Sequence, residues 1–173
     1  EKQKEYVFWK YDQLRNLVSC EPKRIKAAHD AVRNRDHYSW YFHTRTLELF
    51  GELHHYFYRD GVKVLPPNMF EFLTSRAVAV WFMDDGSNTA ESYTLSTHCF
   101  SMEDQQRITQ FLKQKFDVNA RVVRDRTKFK IAIGKHEYQK LNNVVLPYII
   151  PSMNYKICNP RNDLLFTTEQ IKA

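Results

Sequence analysis

The run Ala77-Val78-Ala79-Val80-Trp81-Phe82-Met83 is almost wholly apolar and ends in Asp84-Asp85-Gly86. A segment that apolar is expected to be buried. A carboxylate carried into such surroundings is costly unless it is paired or binds a cation. The run therefore predicts a packed helix over Ser75 to Asp84, with Thr74 as its N-cap, that delivers an acid to a polar surface. Gly86 then turns the chain out of the helix.

The rest of the chain is globular in composition. Of its 173 residues 43% are hydrophobic and 14% aromatic, and four glycines and six prolines argue against linkers and low-complexity sequence. No apolar stretch approaches the length of a membrane span and no signal-peptide pattern opens the chain, so no membrane partner is expected. The first residue is Glu1 rather than Met, as in a processed, trimmed or partial chain. Cys20, Cys99 and Cys158 are isolated, with no metal-finger spacing. They fit an intracellular, reducing setting, either a bacterial cytoplasm or an organelle. Cys99 reads as a packing residue in an apolar strand.

Lysine and arginine number 26 against 20 acids, a net charge of +6, and basic residues crowd 23–35 and 121–130. Both stretches have strand character, so the charge points to a polyanion partner rather than only to a solvated face.

A pattern occurs twice. Lys4 to Ser19 reads as an amphipathic helix; Arg24 to Val32 and Tyr38 to Arg45 as two strands; Leu47 to Tyr58 as a helix; Val62 to Pro66 as an extended piece holding Lys63. Later, Met102 to Phe116 reads as a helix capped by Ser101, Ala120 to Arg126 and Phe129 to Ile133 as a hairpin, and Lys135 to Val145 as a helix. Pro147 to Lys156 then takes the place of Val62 to Pro66, so that Lys63 and Lys156 correspond. The acid-tipped helix, a very short strand near Asn88 and a strand from Tyr93 to Phe100 precede only the second copy. This divides the chain into a partial first repeat (1–66), a complete second repeat (67–160) and a C-terminal tail (161–173).

With this order of elements, Val78 to Gly86 resembles the nine-residue motif of the LAGLIDADG homing endonucleases. Gly86 takes its last position and Asp85 the acidic one before it. The Trp81-Phe82-Met83-Asp84-Asp85-Gly86 form is similar to the second repeat of single-chain, two-repeat members. The resemblance implies an α+β fold of αββαββα repeats about a pseudo-twofold axis, with the two sheets forming a DNA-binding saddle. It implies a site-specific endonuclease that cuts both strands of duplex DNA. Asp85 would bind the catalytic Mg²⁺, and Lys63 and Lys156 would flank the scissile phosphates.

The chemistry is consistent with that pattern. Carboxylate oxygens suit Mg²⁺, cations shared between acids can clamp attacking and leaving oxygens, and an ammonium can stabilise the charge that develops. Asp84 reads as a structural neighbour. The groove-facing candidates are Arg24, Lys26, Tyr41, His43 and Arg45 in the first sheet and Arg121, Arg124, Arg126, Lys128 and Lys130 in the second. Thr94, Ser96 and His98 are placed on one strand face just after the motif and join the DNA-binding candidates, with His98 placed to touch DNA or a water near the metal. No first motif precedes Lys4, so the second acid is expected from a preceding segment or from a second copy. Two alternatives stay open at this point: an intron RNA-binding maturase, and a non-catalytic DNA-binding relic.

Overall fold

The computed structural model describes residues 3–89 and 92–157; Cys158 and the tail at 161–173 lie outside the described residues. The chain is α+β. The apolar run forms α4 (Ser75–Asp85), and the Thr74 side chain accepts from the Ala77 amide as its N-cap. Val78, Ala79, Phe82 and Met83 are buried along it. Around α4 lie α5 (Met102–Phe116), α6 (Tyr138–Val145) and a four-stranded antiparallel sheet of β5 (Gly86–Asn88), β6 (Ser92–Leu95), β7 (Arg121–Asp125) and β8 (Lys128–Gly134), in the order β5-β6-β8-β7. Tyr93, Leu95, Ile131 and Ile133 on one face of that sheet share a core with Val78, Phe82, Ile108, Leu112, Leu141 and Val145. Burying such side chains stabilises a fold by about 1.5–3 kcal/mol each.

The N-terminal half is more open. α1 (Lys4–Gln13) lies over the hairpin of β1 (Lys23–Asp30) and β2 (Arg35–Tyr41), with Phe8 edge-on to Trp40 and Tyr11 edge-on to Phe42. α1 also reaches α4: Tyr6 and Trp9 join Val80, Met83 and Met153 in a second, smaller cluster. α2 (Glu48–Phe57) leads into the short hairpin of β3 (Tyr58–Arg59) and β4 (Val62–Lys63), and α3 (Met69–Phe72) precedes α4. Arg107 of α5 pins the connection by donating to the carbonyls of Leu65, Pro66 and Pro67. Among the described residues no helix is long and apolar enough to cross a membrane.

Several sequence expectations shift, each for a local reason. α1 stops at Gln13, and a 3₁₀ turn over Arg15–Leu17 frees Val18 to bridge Thr44. The same pairing ends β2 at Tyr41 instead of Arg45, because Arg45 N donates to Leu17 O and Ser19 N to His43 O. β6 ends at Leu95, not Phe100, because its partner β5 starts at Gly86: opposite Ser96 the chain is already Asp85 of α4, whose carbonyl accepts from Ser96 N, and the Thr97 hydroxyl turns to Gln105 of α5. Cys99 is therefore exposed and not packed in a strand. Arg59-Asp60-Gly61 does not simply close α2. Asp60 and Gly61 have φ of 50° and 75°, as a two-residue hairpin turn with two left-handed positions requires. The segment Pro147 to Lys156 is not extended but forms 3₁₀ turns at Leu146–Tyr148 and Pro151–Lys156, each with proline in its first turn, where its fixed φ suits a helix start.

Candidate functional site

The last turn of α4 carries the two acids side by side, and the fold treats them differently. Asp84 Oδ1 is 3.0 Å from Lys10 Nζ of α1, in a half-exposed ion pair. The Asp85 carboxylate is exposed and has no hydrogen-bond or ion-pair partner among the described residues. Its main-chain oxygen is held by Ser96 N. Behind it Lys156, a residue only 8% exposed, donates from its ammonium to the main-chain carbonyls of Phe82 (3.4 Å), Met83 and Asp84 (3.2 Å). A helix ends with unsatisfied carbonyls and partial negative charge, so a cation there both pairs them and offsets the cost of ending on two acids. Burial holds the Lys156 ammonium below its ordinary pKa, opposed by the charges of Asp84 and Asp85. Burial, followed by the same two carboxylates, pushes the Tyr6 phenol up.

Lys63, expected to match Lys156, has a different environment. It is exposed on β4, with Nζ 5.6 Å from the Phe100 ring centroid. Phe100 lies in the loop after β6, so Lys63 is placed beside that loop and not at the carbonyls that hold Lys156.

Strand pairing sorts the basic candidates. Residues directly opposite each other share a face, and faces alternate along a strand. In the second sheet Arg121 pairs with Ala132, Val123 with Lys130 and Asp125 with Lys128, on the face opposite the core residues Ile131 and Ile133. Thr94 and Ser87 share that face. Arg121, Lys128 and Lys130 are thus brought together, while Arg124 pairs with Phe129 on the other side and donates from Nε to the Arg126 carbonyl. Arg126 sits in the turn, with φ 57°. Thr94 is buried, with its hydroxyl 2.6 Å from that of Ser87. Ser96 is exposed beyond the strand end. His98 Nε2 lies 2.9 Å from Asp125 Oδ2. Thr94, Ser96 and His98 therefore do not share a strand face.

The first sheet splits likewise. Arg24 pairs with Trp40 and Lys26 with Tyr38, on the face that α1 covers, while Tyr41 lies on the opposite face. The His43 ring is 5.1 Å from that of Tyr41. Arg24 stacks on Tyr38 at 3.8 Å, and Lys26 is ion-paired with Asp36 at 2.7 Å. Lys26, then His29, holds the Asp36 carboxyl below its usual range. Arg45 is tied to the Val18 carbonyl through Nε.

Sequence reasoning missed Asp125 and Lys10. Asp125 was readable, because strand alternation from Arg121 puts it on the face of Lys128 and Lys130. Lys10 carried no local signal, since its partner is far away in the chain.

Comparison with known proteins agrees with this geometry. The family model of the LAGLIDADG DNA endonuclease family matches residues 1–141. The chain is 33% identical over 165 residues to the cytochrome b mRNA maturase bI2 of Saccharomyces cerevisiae, covering 89% of this chain and 39% of that protein. It is 31% identical to the intron-encoded endonuclease ai4 of Dictyostelium discoideum, covering 77% of this chain and 85% of that one. Among solved structures, the homing endonuclease I-WcaI bound to its DNA recognition sequence matches with a TM-score of 0.80 and 28% identity, over 90% of this chain and 71% of that one. The chain thus spans about two-fifths of the maturase's length. An apolar helix that ends in one paired and one open carboxylate, a sheet with a basic outer face and these matches converge: the chain belongs to the LAGLIDADG DNA endonuclease family.

Proposed function

We propose that this chain forms part of a site-specific homing endonuclease that binds duplex DNA in the major groove and hydrolyses both strands with Mg²⁺. The observation that carries the proposal is Asp85, an exposed carboxylate with no partner among the described residues, at the end of a buried helix and beside a lysine. A carboxylate oxygen is a donor that hard cations take, and no described side chain is paired with this one, so it fits one position of a Mg²⁺ site. Among the described residues no three His, Cys, Asp or Glu side chains converge. Water, phosphate oxygens and a second acid would complete the set. When bound, Mg²⁺ would neutralise charge at the scissile phosphate. Lys156 holds the last turn of α4 and with it the direction of Asp85. Lys63 would carry positive charge to the other scissile phosphate.

The half-repeat reading (1–66 against 67–160) supports an outside source for the second acid. β8 pairs with β6 along its inner edge, and α6 buries Leu141 and Val145 in the core shared with α4. The corresponding β2 pairs only with β1 among the described residues, and the corresponding α2 leaves Leu49 and Leu53 exposed. A hairpin and an acid-tipped apolar helix, from a preceding segment or a second copy, would cover both. Tyr41, His43, Arg121, Lys128 and Lys130 would face the groove and its phosphates. The unpaired thiol of Cys20 suits an intracellular reducing compartment, bacterial or organellar.

The test is Asp85→Asn in the full-length protein. Mg²⁺-dependent cleavage of a duplex target should be lost while DNA affinity is kept, and unchanged cleavage would overturn the assignment. Asp84→Asn, which breaks the half-exposed pair with Lys10, should keep cleavage. The maturase relative favours a second reading, an intron RNA partner. Intron binding and splicing support that survive Asp85→Asn would identify it.

A further inference from the structure

One carboxylate interrupts the basic outer face of the second sheet. Asp125 ends β7, faces the same way as Arg121, Lys128 and Lys130, and is about one-third exposed. Two neighbours meet the same oxygen: His98 Nε2 at 2.9 Å and Lys130 Nζ at 3.0 Å, each on Oδ2. Among the described residues Oδ1 has no partner. An acid directed at a polyanion is repelled by phosphate, so a merely structural pair at this place works against binding. Its open oxygen, facing the same way as the basic residues, is placed to accept from a donor on the partner.

In the major groove the donors are the N4 amino group of cytosine and the N6 amino group of adenine. Guanine N7 and O6 and thymine O4 are acceptors and repel a carboxylate. Adenine places its N7 acceptor beside N6, so a group that only accepts meets one favourable and one unfavourable atom. Cytosine presents the amino group without that neighbour. Lys130, anchored on the other carboxylate oxygen, lies on the same face with further donors for an acceptor such as guanine O6.

We propose that Asp125 is a specificity-determining residue that selects cytosine through Oδ1, with His98 and Lys130 fixing its carboxylate; this rests on the reading of the chain as a major-groove DNA binder. The pattern of donors makes the test directional. An asparagine at this position can accept from adenine N6 and donate to N7. Selection of bound duplexes from a randomised library, followed by sequencing, should be run on the full-length protein, Asp125→Asn and Asp125→Ala. The wild-type protein should prefer cytosine at one position by on the order of tenfold. Asp125→Asn should move that preference to adenine, and Asp125→Ala should level it, with the other positions unchanged. If both variants keep the wild-type preference at every position, the inference fails while the DNA-binding reading stands. If the wild-type protein enriches no duplex sequence, the DNA-binding reading fails and takes the inference with it.

Discussion

The Lys156 ammonium donates to the main-chain oxygen of Asp84 across 3.2 Å, so the basic residue beside the acidic pair grips the backbone that carries the acids and not the acids themselves. Two further carbonyls, of Phe82 and Met83, meet the same nitrogen. An ammonium has three donors, and all three are occupied. The lysine therefore fixes where α4 ends, and the α4 end fixes where Asp85 points.

Lys156→Met, which keeps the stem and removes the charge, should destabilise the protein by about 2–3 kcal/mol through lost hydrogen bonds to a charged group. Denaturant melts would read this directly. The pH dependence has a defined sign. Burial lowers the folded-state pKa of Lys156 from its ordinary 10.5. The unfolded chain then holds the proton more tightly, so stability from this group rises with pH between the lowered value and 10.5 and is flat on either side. The advantage of wild type over Lys156→Met should therefore widen as pH rises across that window and stay constant outside it. A stability difference with no pH dependence there would show that the ammonium is not the group responsible.

How much could be read in advance follows from how local each signal is. α4 and α5 were legible because their caps and apolar spacing lie within one segment: Thr74 and Ser101 cap as expected. The ends of β2 and β6 were not, because distant partners set them. Thr44 leaves its strand to meet Val18, and opposite Ser96 the paired chain is already the last residue of α4, Asp85. Charge density along 121–130 pointed to the right strands but not to a face. Arg124 is three residues from Arg121, which in a strand means opposite sides. The pairing of Asp84 with Lys10 required tertiary contact between α1 and α4, for which neither segment carries a mark.

Gly86 is set by space and not by backbone freedom. Its φ is −77°, open to any residue, and its amide donates to the Phe82 carbonyl. A Cβ at this position would run into both the Phe82 ring and that carbonyl. Phe82 cannot yield, being buried and edge-on to Tyr93 at 5.1 Å. Gly86→Ala should therefore lower stability by about 1–3 kcal/mol, as over-packing does. Gly51→Ala is the internal control: nothing lies within 4 Å of its added Cβ, and a helical alanine should stabilise by about 0.5–1 kcal/mol. Thermal melts of opposite sign for the two variants are the expected outcome, and a neutral Gly86→Ala would mean that the motif glycine is not needed for packing.

Asp117 closes α5 in the left-handed region, with φ 53°. Aspartate and asparagine tolerate that conformation better than branched residues do. Its carboxylate meets Lys113 and also Lys140 of α6, the latter at 2.7 Å. Hydrogen bonds from Lys113 and then Lys140 hold its pKa at about 2, against an ordinary 3.8. A lowered carboxylate contributes stability that is fully present above the unfolded pKa and is lost as pH falls through the folded one. The loss from this residue should therefore run from 3.8 down to about 2. Asp117→Asn keeps the backbone conformation and removes the charge, so acid titration of stability should be shallower in that window for the variant than for wild type. Because the group is open to solvent, the difference should also shrink as salt is added. Parallel acid profiles for the two proteins would show that the lysines do not hold this helix end through charge.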